Sequence, residues 1–202
     1  MLDVSGKLAV IVGGGRVGAR KARGLIEAGV KRVRIVSLDF DPSIPAEAER
    51  IEEMYEAHHL DGADLVFAAT NQPAVNAAVT RDAEARKILV CRSDHDDRLP
   101  GDFTTPAHHR ENALLIAVTA GSAALSAAVR DEIVARLDPR WGKLAETMQT
   151  VRPLVLGRFG HDPVRRAEVL RKLAEPDALD HCNNDAELIA WLATRYPEFA
   201  HA

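Results

Sequence analysis

Leu8-Ala9-Val10-Ile11-Val12-Gly13-Gly14-Gly15-Arg16-Val17-Gly18-Ala19-Arg20-Lys21 is the stretch on which the reading of the whole chain depends. An apolar run ends in three glycines and a helical pattern begins at once, which gives a strand, a tight turn and a helix start. The spacing Gly13-x-Gly15-x-x-Gly18 is that of a dinucleotide-binding turn. In such a turn Gly13 permits the bend and Gly15 lets a pyrophosphate approach the backbone. Gly18 lets helix pack closely on strand, and the free N–H groups of the helix start face the phosphates. Glycine-rich turns also close α/β units that bind nothing, so the turn alone leaves both readings open.

Composition narrows the class. The 202 residues suffice for one ordinary domain with a smaller appendage, and 47% hydrophobic against 28% charged residues is the balance of a globular protein with a sizeable core. A net charge of −4 supplies no global field favouring nucleic acid or an acidic membrane surface. No run approaches the roughly 20 apolar residues of a membrane span. The opening Met1-Leu2-Asp3-Val4-Ser5-Gly6 has no basic, apolar signal region, so the cytoplasm is the expected compartment. Cys91 and Cys182 lie far apart without a partner motif, which argues against a disulfide framework.

The chain then alternates. Residues 7–12 read as a strand, 19–28 as an amphipathic helix closed by Gly29, and 33–37 as a second strand. Leu38-Asp39 follows, where an acidic residue meets the ribose hydroxyls of NAD or simply opens a surface turn before Pro42. An acid there disfavours a 2′-phosphate, although Arg32 and Arg34 share a strand face nearby. The glutamate-rich stretch 46–59 reads as a charged, solvated helix. Leu65 to Ala69 is a buried parallel strand whose end carries Thr70-Asn71, either a crevice wall or a plain helix cap. A helix over 74–86 leads to a strand over 88–91 and the polar loop Arg92-Ser93-Asp94-His95-Asp96-Asp97. Leu114 to Thr119 reads as the last strand of the set, and 123–137 as a helix. From about Trp141 only helical periodicities remain, broken by Pro153, Gly157, Pro163 and Pro176. This order argues for a Rossmann-like α/β domain with a parallel sheet, a short connecting region and a C-terminal helical domain.

Three pieces in order resemble one family. Ile11-Val12-Gly13-Gly14-Gly15-Arg16-Val17 with Arg20-Lys21 is similar to the opening of the precorrin-2 dehydrogenase family, the amino-terminal module of siroheme synthase. Phe67-Ala68-Ala69-Thr70-Asn71 with Val75-Asn76 resembles its second signature, and Ser93-Asp94 with Phe103 and Pro106 its third. The resemblance implies an NAD-binding domain (1–113), a dimerisation region (114–145) and a helical domain (146–202). It implies NAD-dependent oxidation of precorrin-2 to sirohydrochlorin by a homodimer, with ferrous iron as a further substrate in bifunctional members. By position it implies cofactor contacts at Arg16, Val17, Leu38 and Asp39 and a catalytic role for Asp94, which join Gly13, Gly14 and Gly15 of the turn and Ala69, Thr70 and Asn71 at the strand end as the expected cofactor set.

The chemistry asked of Asp94 can be stated independently. Aromatising a reduced tetrapyrrole removes a hydride and a proton, so the site needs a hydride acceptor and a general base. A substrate rich in carboxylates needs polar and basic partners, and Ser122, His108 and Arg152 are the candidates, with Arg158, Arg165 and Arg166 behind them. The cluster His95, Asp96, Asp97 and Asp102 offers ligands suited to ferrous iron but no fixed ligand spacing, so no resident metal is expected. Thr119-Ala120-Gly121-Ser122-Ala123-Ala124 departs from the family's serine- and proline-bearing turn. That departure supports a rival of another class, an NAD- or tetrapyrrole-binding module without chemistry.

Overall fold

A computed structural model describes residues 2–94 and 101–199, and divides the chain into two compact units, Met1–Thr105 and Pro106–Ala202. The break comes ahead of the domain boundary expected at 113.

The first unit is a five-stranded sheet built from β1 (Leu8–Val12), β2 (Arg32–Val36), β3 (Glu49–Ile51), β4 (Leu65–Ala68) and β5 (Leu89–Arg92). The order is β3-β2-β1-β4-β5 and every pairing is parallel, with Ile11 opposite Ile35 on one side and Phe67 on the other. All five residues of β1 are buried, which explains its unbroken apolar run: a central parallel strand is covered on both faces. Alternation assigns the two faces. Ala9 and Ile11 join Ala22, Leu25, Ile35 and Phe67 under α1 (Arg16–Glu27). Leu8, Val10 and Val12 join Val66, Val79, Ala83 and Val90 under α2 (Pro73–Arg86). On the α1 face Phe103 meets Phe67 edge-on, with ring centroids 5.5 Å apart. Lys21 of α1 reaches over Phe67 to donate to Thr105 Oγ1.

The glutamate-rich stretch 46–59 is not the helix its composition suggested. It forms the edge strand β3 and a short 3-10 turn, Ala57–Leu60. Pairing beside β2 overrides helical propensity here, and Arg34 Nε donates to Glu49 across the pair at 3.1 Å.

The second unit opens with an antiparallel hairpin of β6 (Ala107–Glu111) and β7 (Leu114–Val118). The strand at 114–118 therefore does not extend the parallel sheet, and its partner runs through His108 and His109. The helices are α3 (Ala123–Arg136), α4 (Arg140–Arg158), α5 (Pro163–Lys172) and α6 (Asp185–Ala193). Leu144, Thr147, Val151 and Val155 recur on the buried face of α4, packed with Val169, Leu173, Leu188, Trp191 and Leu192. Pro153 lies inside α4 without ending it, on the exposed side. No described helix is long and apolar enough to cross a membrane.

Candidate dinucleotide and carboxylate site

Strand order reverses at β1, so the crevice of this sheet lies beyond the carboxyl ends of β1 and β4. The residues after β1 form the glycine turn. Gly13 has φ +117°, and a Cβ there would sit 2.5 Å from the carbonyl oxygen of Ala69. A Cβ on Gly14 would strike the carbonyl oxygen of Asp39, and one on Gly18 would strike that of Gly13. These glycines are required by backbone packed on backbone. Gly15 differs: nothing lies within 4 Å of where its Cβ would point. That open side faces out at the N-cap of α1, where no side chain caps the helix and no acid occupies the first turn. The free N–H groups and the positive end of the helix dipole are thus left for an anion, as a dinucleotide pyrophosphate requires.

The other walls are held to this turn by hydrogen bonds. Gly13 N–H donates to Val36 O and Asp41 N–H to Gly14 O at 2.7 Å, which anchors the loop carrying Leu38 and Asp39. Leu38 is 57% exposed, and Asp39 is exposed as well. Ala69 N–H donates to Val12 O, so Thr70 and Asn71 begin where β1 ends. Arg16 is exposed and Val17 half-buried in the first turn of α1.

Two residues absent from the expected set organise the carboxylate. Arg92, at the end of β5, has a side chain only 3% exposed and grips Asp94 with two bonds, Nε to Oδ1 at 2.9 Å and Nη2 to Oδ2 at 2.7 Å. Asn76 of α2 is fully buried, and its amide joins Arg92 in favouring the ionised form of the same carboxylate. It also accepts from the N–H and Oγ1 of Thr70 and donates to Thr70 O. Asn76 thereby ties the loop after β4 to α2. The Arg92 guanidinium holds the Asp94 carboxyl below its usual range, with Asn76 adding to the effect against partial burial. Between them the buried Ser93 Oγ has no hydrogen-bond partner among the described residues.

The remaining expected residues lie elsewhere or outside the description. His95, Asp96 and Asp97 fall outside the described residues. Asp102 is committed to the backbone, its Oδ2 accepting from Val90 N–H at 2.8 Å. Ser122, His108 and Arg152 all belong to the second unit: Ser122 caps α3 through Leu125 N–H, while His108 on β6 and Arg152 on α4 are exposed. Glu53, His58 and His59 lie close enough together to suggest a cation site. The ring of His59 is already committed, however. Its Nδ1 accepts from Glu56 N–H at 2.9 Å, so Nε2 carries the proton and faces Glu53 at 3.1 Å.

A family model described as "Putative NAD(P)-binding" matches residues 1–107. The siroheme synthase of Chromobacterium violaceum is 35% identical over 164 residues, covering 78% of this chain and 34% of that protein. That of Gluconobacter oxydans is 32% identical over 169 residues, covering 78% and 35%. The chain thus spans about a third of the length of the siroheme synthases it matches. Among solved structures, one titled SirC, precorrin-2 dehydrogenase, shares the fold with a TM-score of 0.73 at 19% identity, covering 96% of this chain and 98% of that one.

Proposed function

We propose, from the premise that the chain belongs to this NAD(P)-binding family, that it oxidises precorrin-2 to sirohydrochlorin with NAD as hydride acceptor. The relatives named siroheme synthase and the shared fold of a precorrin-2 dehydrogenase support the substrate class. The observation that carries the reading is the Arg92-held carboxylate of Asp94 just past the end of β5, on the same carboxyl edge of the parallel sheet as the glycine turn after β1.

The residues present fit the cofactor. Gly13, Gly14 and Gly15 with the uncapped start of α1 would hold its pyrophosphate, Arg16 and Val17 flanking them. Leu38 and Asp39 would meet the adenosine ribose, and Ala69, Thr70 and Asn71 would line the opposite side. When bound, NAD supplies a two-electron hydride acceptor. The chain's own task is then the proton. Loss of hydride from a reduced tetrapyrrole leaves a conjugated cation whose proton is strongly acidic. A carboxylate of low pKa is an adequate base for such a proton, and it stays ionised at neutral pH. Arg92 fixes the orientation of Asp94, and Asp94 passes the proton on to water. Ser122, His108 and Arg152 are proposed as contacts for the substrate's carboxylates.

The working unit is proposed to be a cytoplasmic homodimer, with 114–145 as its dimerisation region between an NAD-binding domain (1–113) and a helical domain (146–202). An apolar stripe on α3 supports this, since Leu125, Val129 and Ile133 are all exposed along one side of the helix. Ferrous iron as a second substrate rests on the family likeness.

An anaerobic assay with precorrin-2 and NAD, followed by sirohydrochlorin absorbance, tests the reading. Turnover is expected, and none from pure, folded protein overturns it. Binding of NAD or sirohydrochlorin without turnover would instead support the non-catalytic rival. Ferrous iron supplied with sirohydrochlorin and no NAD tests the chelatase step by itself.

A further inference from the structure

Beside the glycine turn lies an open depression of about 630 Å³, lined by Arg16, Val17, Arg20, Arg23, Asp41 and Ser43. Three guanidinium groups therefore stand on consecutive turns of one side of α1. Arg16 and Arg20 are exposed and make no hydrogen bond or ion pair with any described residue. Arg23 only reaches Ser43 O, at 3.3 Å. One carboxylate faces them: Asp41, whose Oδ1 accepts both the N–H and the Oγ–H of Ser43, at 2.9 and 2.6 Å. Two of the three positive charges are left uncompensated. Arg140, by contrast, is held by both Asp138 and Asp180.

The position of this cluster gives it meaning. The loop 37–43 that supplies Asp41 and Ser43 begins where β2 ends, and Asp41 N–H to Gly14 O draws it against the glycine turn. In a sheet of this topology the adenosine ribose lies at the end of β2. There an acid accepts the 2′-hydroxyl of NAD and a nearby arginine accommodates the 2′-phosphate of NADP. This chain carries both devices, Asp39 for the diol and a trio of arginines on the facing helix. Guanidinium groups suit a phosphomonoester because their donors match its oxygens two at a time.

We infer that Arg16, Arg20 and Arg23 form a subsite for the 2′-phosphate of an adenosine dinucleotide, so that the site accepts NADP alongside NAD. The inference rests on the dinucleotide reading proposed above. Arg32 and Arg34 are not part of the subsite, since Arg32 stands at the amino end of β2 and Arg34 is already bonded to Glu49 and to His59 O.

Calorimetric titration of the purified full chain with NAD and with NADP, at one fixed ionic strength, tests it without any turnover. NADP is expected to bind within threefold of NAD or more tightly. The double variant Arg20→Ala with Arg23→Ala should weaken NADP at least tenfold and leave NAD within twofold, and the lysine pair at the same positions should recover part of the loss. NADP binding more than threefold weaker than NAD in the unaltered chain overturns the subsite and leaves the dinucleotide reading standing. So does an equal loss of both ligands in the double variant. A folded chain that binds neither overturns both.

Discussion

The glycines of the turn are chemically identical but separable by what each would touch, and that difference makes a sharp test. Gly18 lies against the carbonyl of Gly13, so Gly18→Ala forces strand and helix apart. A loss of about 3 kcal/mol is expected, in the range of core overpacking. Gly15 has open space where its Cβ would go and a φ of −76° that alanine accepts. Gly15→Ala should change stability by about 1 kcal/mol or less, as N-cap substitutions at glycine do, yet lower NAD affinity at least tenfold. Thermal unfolding and NAD titration of the two variants check this, and equal effects on affinity and stability at Gly15 would remove its role. Asp94 makes the second residue-scale prediction. Asp94→Ala should abolish turnover with NAD affinity nearly unchanged, and an active variant would refute the assignment. Because Arg92 depresses the folded-state pKa of Asp94, the pair's stabilisation is present above the unfolded carboxyl value near about 3.9. It disappears as pH falls through the lower folded value. Arg92→Met leaves the half-buried carboxylate without its cation. The acid limb of kcat/KM should then move to higher pH, and the fold should lose about 3 kcal/mol. An unmoved acid limb would show that Arg92 acts only in packing.

At the scale of elements, the site is a set of strand ends, one of which, the end of β4, is tied to α2 by a buried amide. Asn76→Ala removes the partner of Thr70 N–H and Oγ1 and one support of Asp94. The chain should be destabilised by about 1–3 kcal/mol, the cost of stranding buried polar groups. Asn76→Asp keeps the acceptor but brings a second carboxylate beside Asp94, and should lower kcat more than it changes the KM for NAD. Comparable losses in stability alone would mark Asn76 as structural. These elements also show what a sequence discloses. The glycine turn was legible because each glycine answers a local steric need, and β1, β4 and β5 because buried parallel strands are continuous apolar runs. Strand β3 was not legible: Glu49-Arg50-Ile51 has no strand signature of its own and owes its pairing to the open edge of β2. The hairpin partner of β7 was equally hidden, since His108, His109 and Arg110 resemble surface until Leu115, Ile116 and Ala117 lie opposite them. Asp94 could be named from its motif, but the grip of Arg92 two residues before it could not, because a bidentate bond over so short a span depends on the backbone geometry where β5 ends.

At the scale of the whole molecule, the second unit carries a surface that one copy leaves unfinished. A two-stranded hairpin is marginal by itself, and β6 with β7 has only half-buried and exposed positions despite the helices packed on it. Along α3, Leu125 is 52%, Val129 37% and Ile133 42% exposed, spaced four residues apart so that they form one stripe. Of its fourteen residues only Ser126 is buried, held by Ala120 and Ser122 O. A helix with so little buried surface gains too little from its own unit to account for an apolar stripe, and a second copy of the same helix is the simplest self-complementary cover. Val129→Glu with Ile133→Glu would bring like charges into such a face. Light scattering on the eluting protein should give a dimer mass for the unaltered chain and a monomer mass for the double variant, with unfolding temperatures of the first unit unaffected. A monomer at micromolar concentration before any substitution would exclude the dimer, and the exposed stripe on α3 would then need another partner.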